Sequence, residues 1–129
     1  MKKINTPISV GELFDKITIL EIKRVKIKDK NKLIHVKNEL KLLKNVVSKK
    51  NINKRNILKL INQLKNINIK LWNVEDKLRV FEKNKLFKSE FISLARKVYF
   101  MNDKRAKLKN EINIQTKSQI NEVKSYEEY

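Results

Sequence analysis

The chain has no cysteine, one glycine (Gly11), one proline (Pro7) and one histidine (His35). Without cysteine there is no disulfide and no thiolate metal site, and a single histidine excludes a histidine-rich one. One glycine excludes a glycine-rich phosphate loop. Together, one glycine and one proline leave too little turn chemistry for a sheet of several hairpins. No stretch approaches the ~20 apolar residues of a membrane span. The opening "MKKINTPISV" has two lysines without a following apolar run, unlike a secretory signal. The expectation is a soluble cytoplasmic protein with no metal and no cofactor. Its 129 residues make one domain, able to bury roughly two-thirds of its unfolded surface.

Acidic residues are scarce as well: 14 against 32 basic ones, a net charge of +18. Such an excess suits a polyanion partner, either nucleic acid or an anionic surface. Composition offers the other reading. Only five of the basic residues are arginine (Arg24, Arg55, Arg79, Arg96, Arg105), and lysine, asparagine and isoleucine dominate the chain. An AT-rich genome writes those three wherever a position need only be polar or only apolar. Nucleic-acid readers favour arginine for bidentate and stacked contacts, so compositional drift is preferred as the origin of the charge. Residues that depart from the bias then mark places where geometry held them.

What is abundant is apolar residues at helical spacing. The pattern predicts an all-α antiparallel bundle of about four helices, two shorter and then two long. "SVGE" (Ser9–Glu12) is a capping box that starts the first helix, running to about Lys28 with Val10, Leu13, Phe14, Ile17 and Leu20 on one stripe and Ile19 and Ile22 on a second. Asp29 caps the second, from about Lys30 to Ser48, with Leu33, Val36, Leu40, Leu43 and Val47 inward. The third is expected from about Lys54 to Asn84, with a stripe from Ile57 to Phe81. Ser89 caps the fourth, whose core side is Phe91, Leu94, Ala95, Val98, Met101, Leu108 and Ile112. Residues 1–7 and 116–129 are expected to be flexible ends of the single domain. The long pair should outreach the short pair, leaving apolar surface for a second copy in a homodimer.

The polar residues that resist the bias gather on these faces. "LWNVEDKLR" places Trp72, Glu75, Asp76 and Arg79 within about a turn of one another, near Asn68. "NDKR" brings Asn102, Asp103 and Arg105 to the flank of the fourth helix, and Asp15 precedes Ile19 on the first. Buried charges require partners. Glu75 or Asp76 against Arg105, Asp103 against Arg79, and Asp15 or Glu21 against any arginine are the expected pairs. Taken one by one, these are interhelical ion pairs. As a cluster, Asp15, Trp72, Glu75, Asp76, Arg79, Asn102, Asp103 and Arg105 form a candidate ligand pocket between helices. Arginine forks and amides suit a small anionic ligand such as a phosphosugar or nucleotide.

"PISVGELFDKITILEIK", "LWNVEDKLR", "FISLARKVYFMNDKRAKLKNEIN" and "EVKSY" together resemble a bacterial family known as a domain of unknown function, from Pro7 to Tyr126. Some members are encoded near cell-surface polysaccharide genes. The resemblance thus implies a small helical protein in a sugar or nucleotide-sugar context, with no catalytic residues to carry over. Two other functions compete with an accessory or binding protein. Glu12 and Asp15 have the E-x-x-D spacing of a magnesium site, reminiscent of all-helical nucleotide pyrophosphohydrolases, with Glu75 and Asp76 as the second acidic pair. The lysine-rich runs Lys23–Lys32 and Lys41–Asn56 could instead form a basic stripe for nucleic acid. The binding or accessory reading is favoured over the enzyme.

Overall fold

The computed structural model describes residues 2–129. Four helices carry the fold: α1 Val10–Lys26, α2 Lys30–Lys49, α3 Leu58–Lys83 and α4 Ser89–Thr116, with a single 3-10 turn at Lys54–Ile57 leading into α3. Their lengths of 17, 20, 26 and 28 residues give the expected order of two shorter helices and then two long ones. No strand occurs among the described residues.

The helix starts follow the capping chemistry, with two departures. Ser9 Oγ accepts from the Glu12 amide at 3.0 Å. The reciprocal half of the box does not form, because the Glu12 carboxylate crosses to Lys109 on α4 instead. Asp29 caps α2 by accepting from the amides of Asn31 and Lys32. Ser89 is the first residue of α4 and does not cap it; the N-cap is Lys88, with no side-chain bond. Lys54 opens the 3-10 turn, whose own cap is Asn53 accepting from the Arg55 amide.

α1 is the central helix. It packs against α2, α3 and α4, while α2 lies against α1 alone at backbone packing distance. Leu13, Phe14, Ile17 and Leu20 are buried, and form one core with Val36, Leu40 and Val47 of α2 and with Ile57, Leu64 and Ile112. Leu64 and Ile112 are completely enclosed, and burying such a side chain is worth roughly 1.5–3 kcal/mol.

The only glycine sits where α1 comes close against the backbone of α4. A Cβ on Gly11 would stand 2.3 Å from the carbonyl oxygen of Lys109, so the position tolerates no side chain.

α3 and α4 form an antiparallel hairpin longer than α1 can cover. The buried residues of α3 end at Leu71, and those of α4 begin at Lys109. Between them the hairpin projects as an arm, tied across by Lys77 and Glu90 at 3.2 Å. Val74, Leu78, Phe81, Phe91, Leu94, Ala95, Val98 and Met101 are therefore half-exposed rather than core, while Leu108, also half-exposed, packs against the core. Helical spacing identified their face correctly. What it could not supply was a third helix to lie over that face, since 17 residues span only about 25 Å.

Candidate functional site

Three helices converge on the carboxylate of Asp15, which is completely buried. Its Oδ1 accepts from Arg105 Nε and from Asn68 Nδ2, both at 2.9 Å, and its Oδ2 accepts from Arg105 Nη2 at 2.5 Å. This is the two-pronged fork that arginine makes and lysine cannot. Asn68 also donates to Thr18 Oγ1 at 3.0 Å, and the Thr18 hydroxyl donates to the Asp15 main-chain oxygen at 2.8 Å. Burial pushes the Asp15 carboxyl up. The hydrogen bonds from Arg105 and Asn68, with the charges of Arg105 and Lys109, outweigh it and hold the group below the usual aspartate value. The bond to Asp15 raises Arg105 in turn, against the opposing effect of burial.

The same face of α4 continues toward its C-terminus at spacings of three and four. Lys109 is buried and its Nζ meets Glu12 at 2.7 Å and Glu122 at 2.8 Å. Burial lowers the Lys109 pKa, but these two carboxylates more than restore it. One turn on, Asn113 Oδ1 accepts from the Gly11 amide at 2.6 Å, in the space that the missing side chain leaves. Asn113 Nδ2 is buried with no partner.

On the other side of Asp15, α1, α3 and α4 leave a groove of about 480 Å³. Trp72, Glu75, Asp76, Arg79, Asn102 and Arg105 line it, with Ile19, Ile22, Asn68 and Leu71. Six of the eight residues singled out in the sequence thus border one groove, and Asp15 lies behind them, fixing Arg105. Asp103 does not join them. It is exposed on another flank of α4 and accepts from the Tyr129 hydroxyl. There it helps line a second, larger cavity of about 1180 Å³ between α4 and residues 124–129. Asn102 and Arg105 border both spaces.

The pairing differs from the expected one. Arg105 takes Asp15 rather than Glu75 or Asp76. Arg79 takes Glu75 on its own helix at 2.5 Å rather than Asp103. Glu21 takes Lys65 at 2.8 Å rather than an arginine. Helical spacing assigns a residue to a face but not the depth to which a crossing helix inserts. α1 brings Asp15 deep between α3 and α4, where Arg105 meets it first. The Arg79–Glu75 pair is solvent-exposed, so it is worth only a few tenths of a kcal/mol.

The E-x-x-D pair is spoken for on both sides, Glu12 by Lys109 and Asp15 by Arg105. Among the described residues no three His, Cys, Asp or Glu side chains stand close enough together to hold a metal ion. Lys109 and Asn113 escaped the sequence reading because one lysine among 27 and one asparagine among many look like the background. The available signal was their spacing: they extend the Asn102–Arg105 face by four residues at each step.

Over residues 3–129 the chain matches the family described as a family of unknown function, DUF6165. It belongs to that family. No curated protein and no solved structure matches the chain, so DUF6165 membership brings no assigned residues, and the geometry above stands as the description of the site. No helix among the described residues is long and apolar enough to cross a membrane.

Proposed function

We propose that the protein is a small helical binding or accessory protein whose α1–α3–α4 groove takes a phosphosugar or nucleotide. The observation that carries this reading is the fork between Arg105 and Asp15. With Nε and Nη2 held by a buried carboxylate, the remaining nitrogen, Nη1, is left facing Asn102 at 3.4 Å, both residues lining the groove. A guanidinium fixed before a ligand arrives loses little conformational freedom on binding. A volume near 480 Å³ suits a small molecule.

The local charge refines the ligand. Two arginines share the site with Asp15, Glu75 and Asp76, so a bare anion gains little there. A ligand that offers phosphate to Arg79 and Arg105, hydroxyls to Glu75 and Asp76, and a ring face to Trp72 satisfies all of them. This suits the polysaccharide context of the resembling family. Glucose 1-phosphate should raise the thermal unfolding temperature, inorganic phosphate should raise it far less, and Arg79→Ala should remove the difference. Equal, negligible shifts with both compounds would end this reading. The magnesium-dependent alternative has less support, because Glu12 and Asp15 are already paired to cationic side chains.

A second reading, nucleic-acid binding, rests on how the charge is distributed. Thirteen basic and two acidic residues lie between Lys23 and Arg55, a net +11 of the total +18. None of those thirteen cations forms an ion pair among the described residues. Uniform drift would have spread the excess evenly. Lys37, Lys41 and Lys44 fall on one flank of α2, across a shallow cleft from Arg24. The segment holds no Phe, Trp or Tyr to stack on bases, which favours phosphate contact without sequence reading. Binding to duplex DNA should weaken steeply between 50 and 200 mM salt, by ~10³-fold or more if six phosphates are neutralised. Binding that is absent, or flat with salt, would remove it.

A further inference from the structure

We infer that the ligand site has a second compartment, the cavity between α4 and residues 124–129, which takes the far half of a phosphodiester or diphosphate ligand: an uncharged, ring-bearing unit such as a nucleoside. The inference rests on the groove reading. It extends that reading from a phosphate monoester to a ligand with an organic group on each side of its phosphate.

The tail that walls this cavity is held by specific contacts. α4 stops at Thr116, where Lys117 takes the left-handed conformation with φ 54° and the Ser118 amide closes back on the Asn113 carbonyl at 2.8 Å. The chain then returns along α4 and is attached at three points. Ser118 Oγ accepts from the Val10 amide at 3.1 Å. Glu122 reaches the buried Lys109. The Tyr129 ring packs on Phe100 and Tyr99, with centroids 4.7 and 5.3 Å apart. Between the second and third attachments, α4 and the tail border the cavity of about 1180 Å³.

Arg105 joins this cavity to the groove. Its side chain and that of Asn102 border both spaces. Arg105 commits Nε and Nη2 to Asp15, and its Nη1 faces Asn102. A phosphate on Nη1 therefore sits at a junction, with one substituent able to enter each space. Lys124, held only loosely by Glu122 at 3.9 Å, brings a second cation to a diphosphate.

The lining says what the second substituent is. Two cations, Arg105 and Lys124, face three acids, Asp103, Glu127 and Glu128, a net −1. A further anion gains nothing there, whereas hydroxyl or N–H donors can serve the acids. Tyr126 is 74% exposed and has no aromatic partner among the described residues, while the Lys124 ammonium lies 5.8 Å from its ring centroid. An open tyrosine face is a platform on which a base can stack.

The chain carries a reporter for each space. Trp72, the only tryptophan, reads the groove by its fluorescence, and chymotryptic cleavage after Tyr126 reads the tail. Glucose 1-phosphate should change the Trp72 emission and leave cleavage at Tyr126 as it was. UDP-glucose should change the emission, slow the cleavage, and bind ~10-fold tighter. Tyr126→Ala should weaken UDP-glucose by about 5-fold or more, as the loss of one stacked base does. The same variant should keep its melting temperature and its affinity for glucose 1-phosphate. Equal affinity for the two compounds, cleavage unaltered by UDP-glucose, or an equal loss of both in Tyr126→Ala would overturn the second compartment and leave the groove reading standing. Binding of neither compound would end both.

Discussion

The base of the bundle and its arm are built from the same two helices, and they differ in what lies over them. At the base, α1 covers α3 and α4, so Leu64 and Ile112 are sealed and the charged side chains that enter, Asp15 and Lys109, are paired. In the arm no further helix covers them: Tyr129 packs on Tyr99 and Phe100, and the other apolar side chains stay half-exposed while charges pair loosely on the surface. The comparison separates two things a hydrophobic stripe can mean. It declares a face, but a core exists only where a further element meets that face. It also explains why position 105 is an arginine. Inside the base, charge alone does not satisfy Asp15, and the fork of Arg105 does. In the arm, Lys77 serves for Glu90 equally well.

The sharpest way to break the contrast is at Asp15. Asp15→Ala leaves the Arg105 guanidinium half-buried with no counterion, and should cost about 3–5 kcal/mol in urea unfolding. Replacing both partners by apolar residues of similar volume should recover most of that loss. The pH dependence follows from the same node. The native Asp15 pKa is lowered, so its contribution is complete above about pH 4 and is lost as pH falls through the lowered native value. Asp15→Asn should flatten that acid limb of the stability curve.

Next in size is the contrast between two apolar truncations in one helix. Leu64→Ala, in the base, should cost about 2–5 kcal/mol. Val80→Ala, in the arm and 54% exposed, should stay within about 0.5 kcal/mol. Equal costs would show that the arm has a core of its own. Smallest is Gly11→Ala. Alanine favours a helix over glycine by up to about 1 kcal/mol, but the new Cβ runs into the Lys109 carbonyl. Separating α1 from α4 should outweigh the gain and leave a net loss of ~1–2 kcal/mol by thermal melting.

Much of the base was legible in the sequence. Ser9 and Asp29 declared two helix starts through side chains that can reach an amide, and the Leu13–Leu20 stripe of α1 lies in the core as its spacing required. That Asp15 would face an arginine also followed, from the cost of leaving a buried carboxylate unpaired. Which arginine did not follow, since Arg79 and Arg105 sit on comparable faces and only the crossing of α1 decides between them. Lys109 shows the other limit. Its composition is background and its burial is exceptional, and only the place of α1 over it makes the difference. The arm was overread for the same reason. Phe91 and Val98 carry a core residue's spacing without a core.

α2 rests on α1 alone, with no hydrogen bond or ion pair tying its side chains to the rest of the bundle among the described residues. The molecule is therefore built as a hierarchy of cooperative units. The triad of α1, α3 and α4 is riveted by Asp15, Lys109 and Asn113, while α2 is held by Val36, Leu40, Val47 and their neighbours only. Because its lysines repel one another, α2 should open its amides to solvent at a lower free energy than the α1, α3 and α4 segments of the base, which hydrogen exchange would read. Higher salt, by screening that repulsion, should slow exchange of the α2 amides.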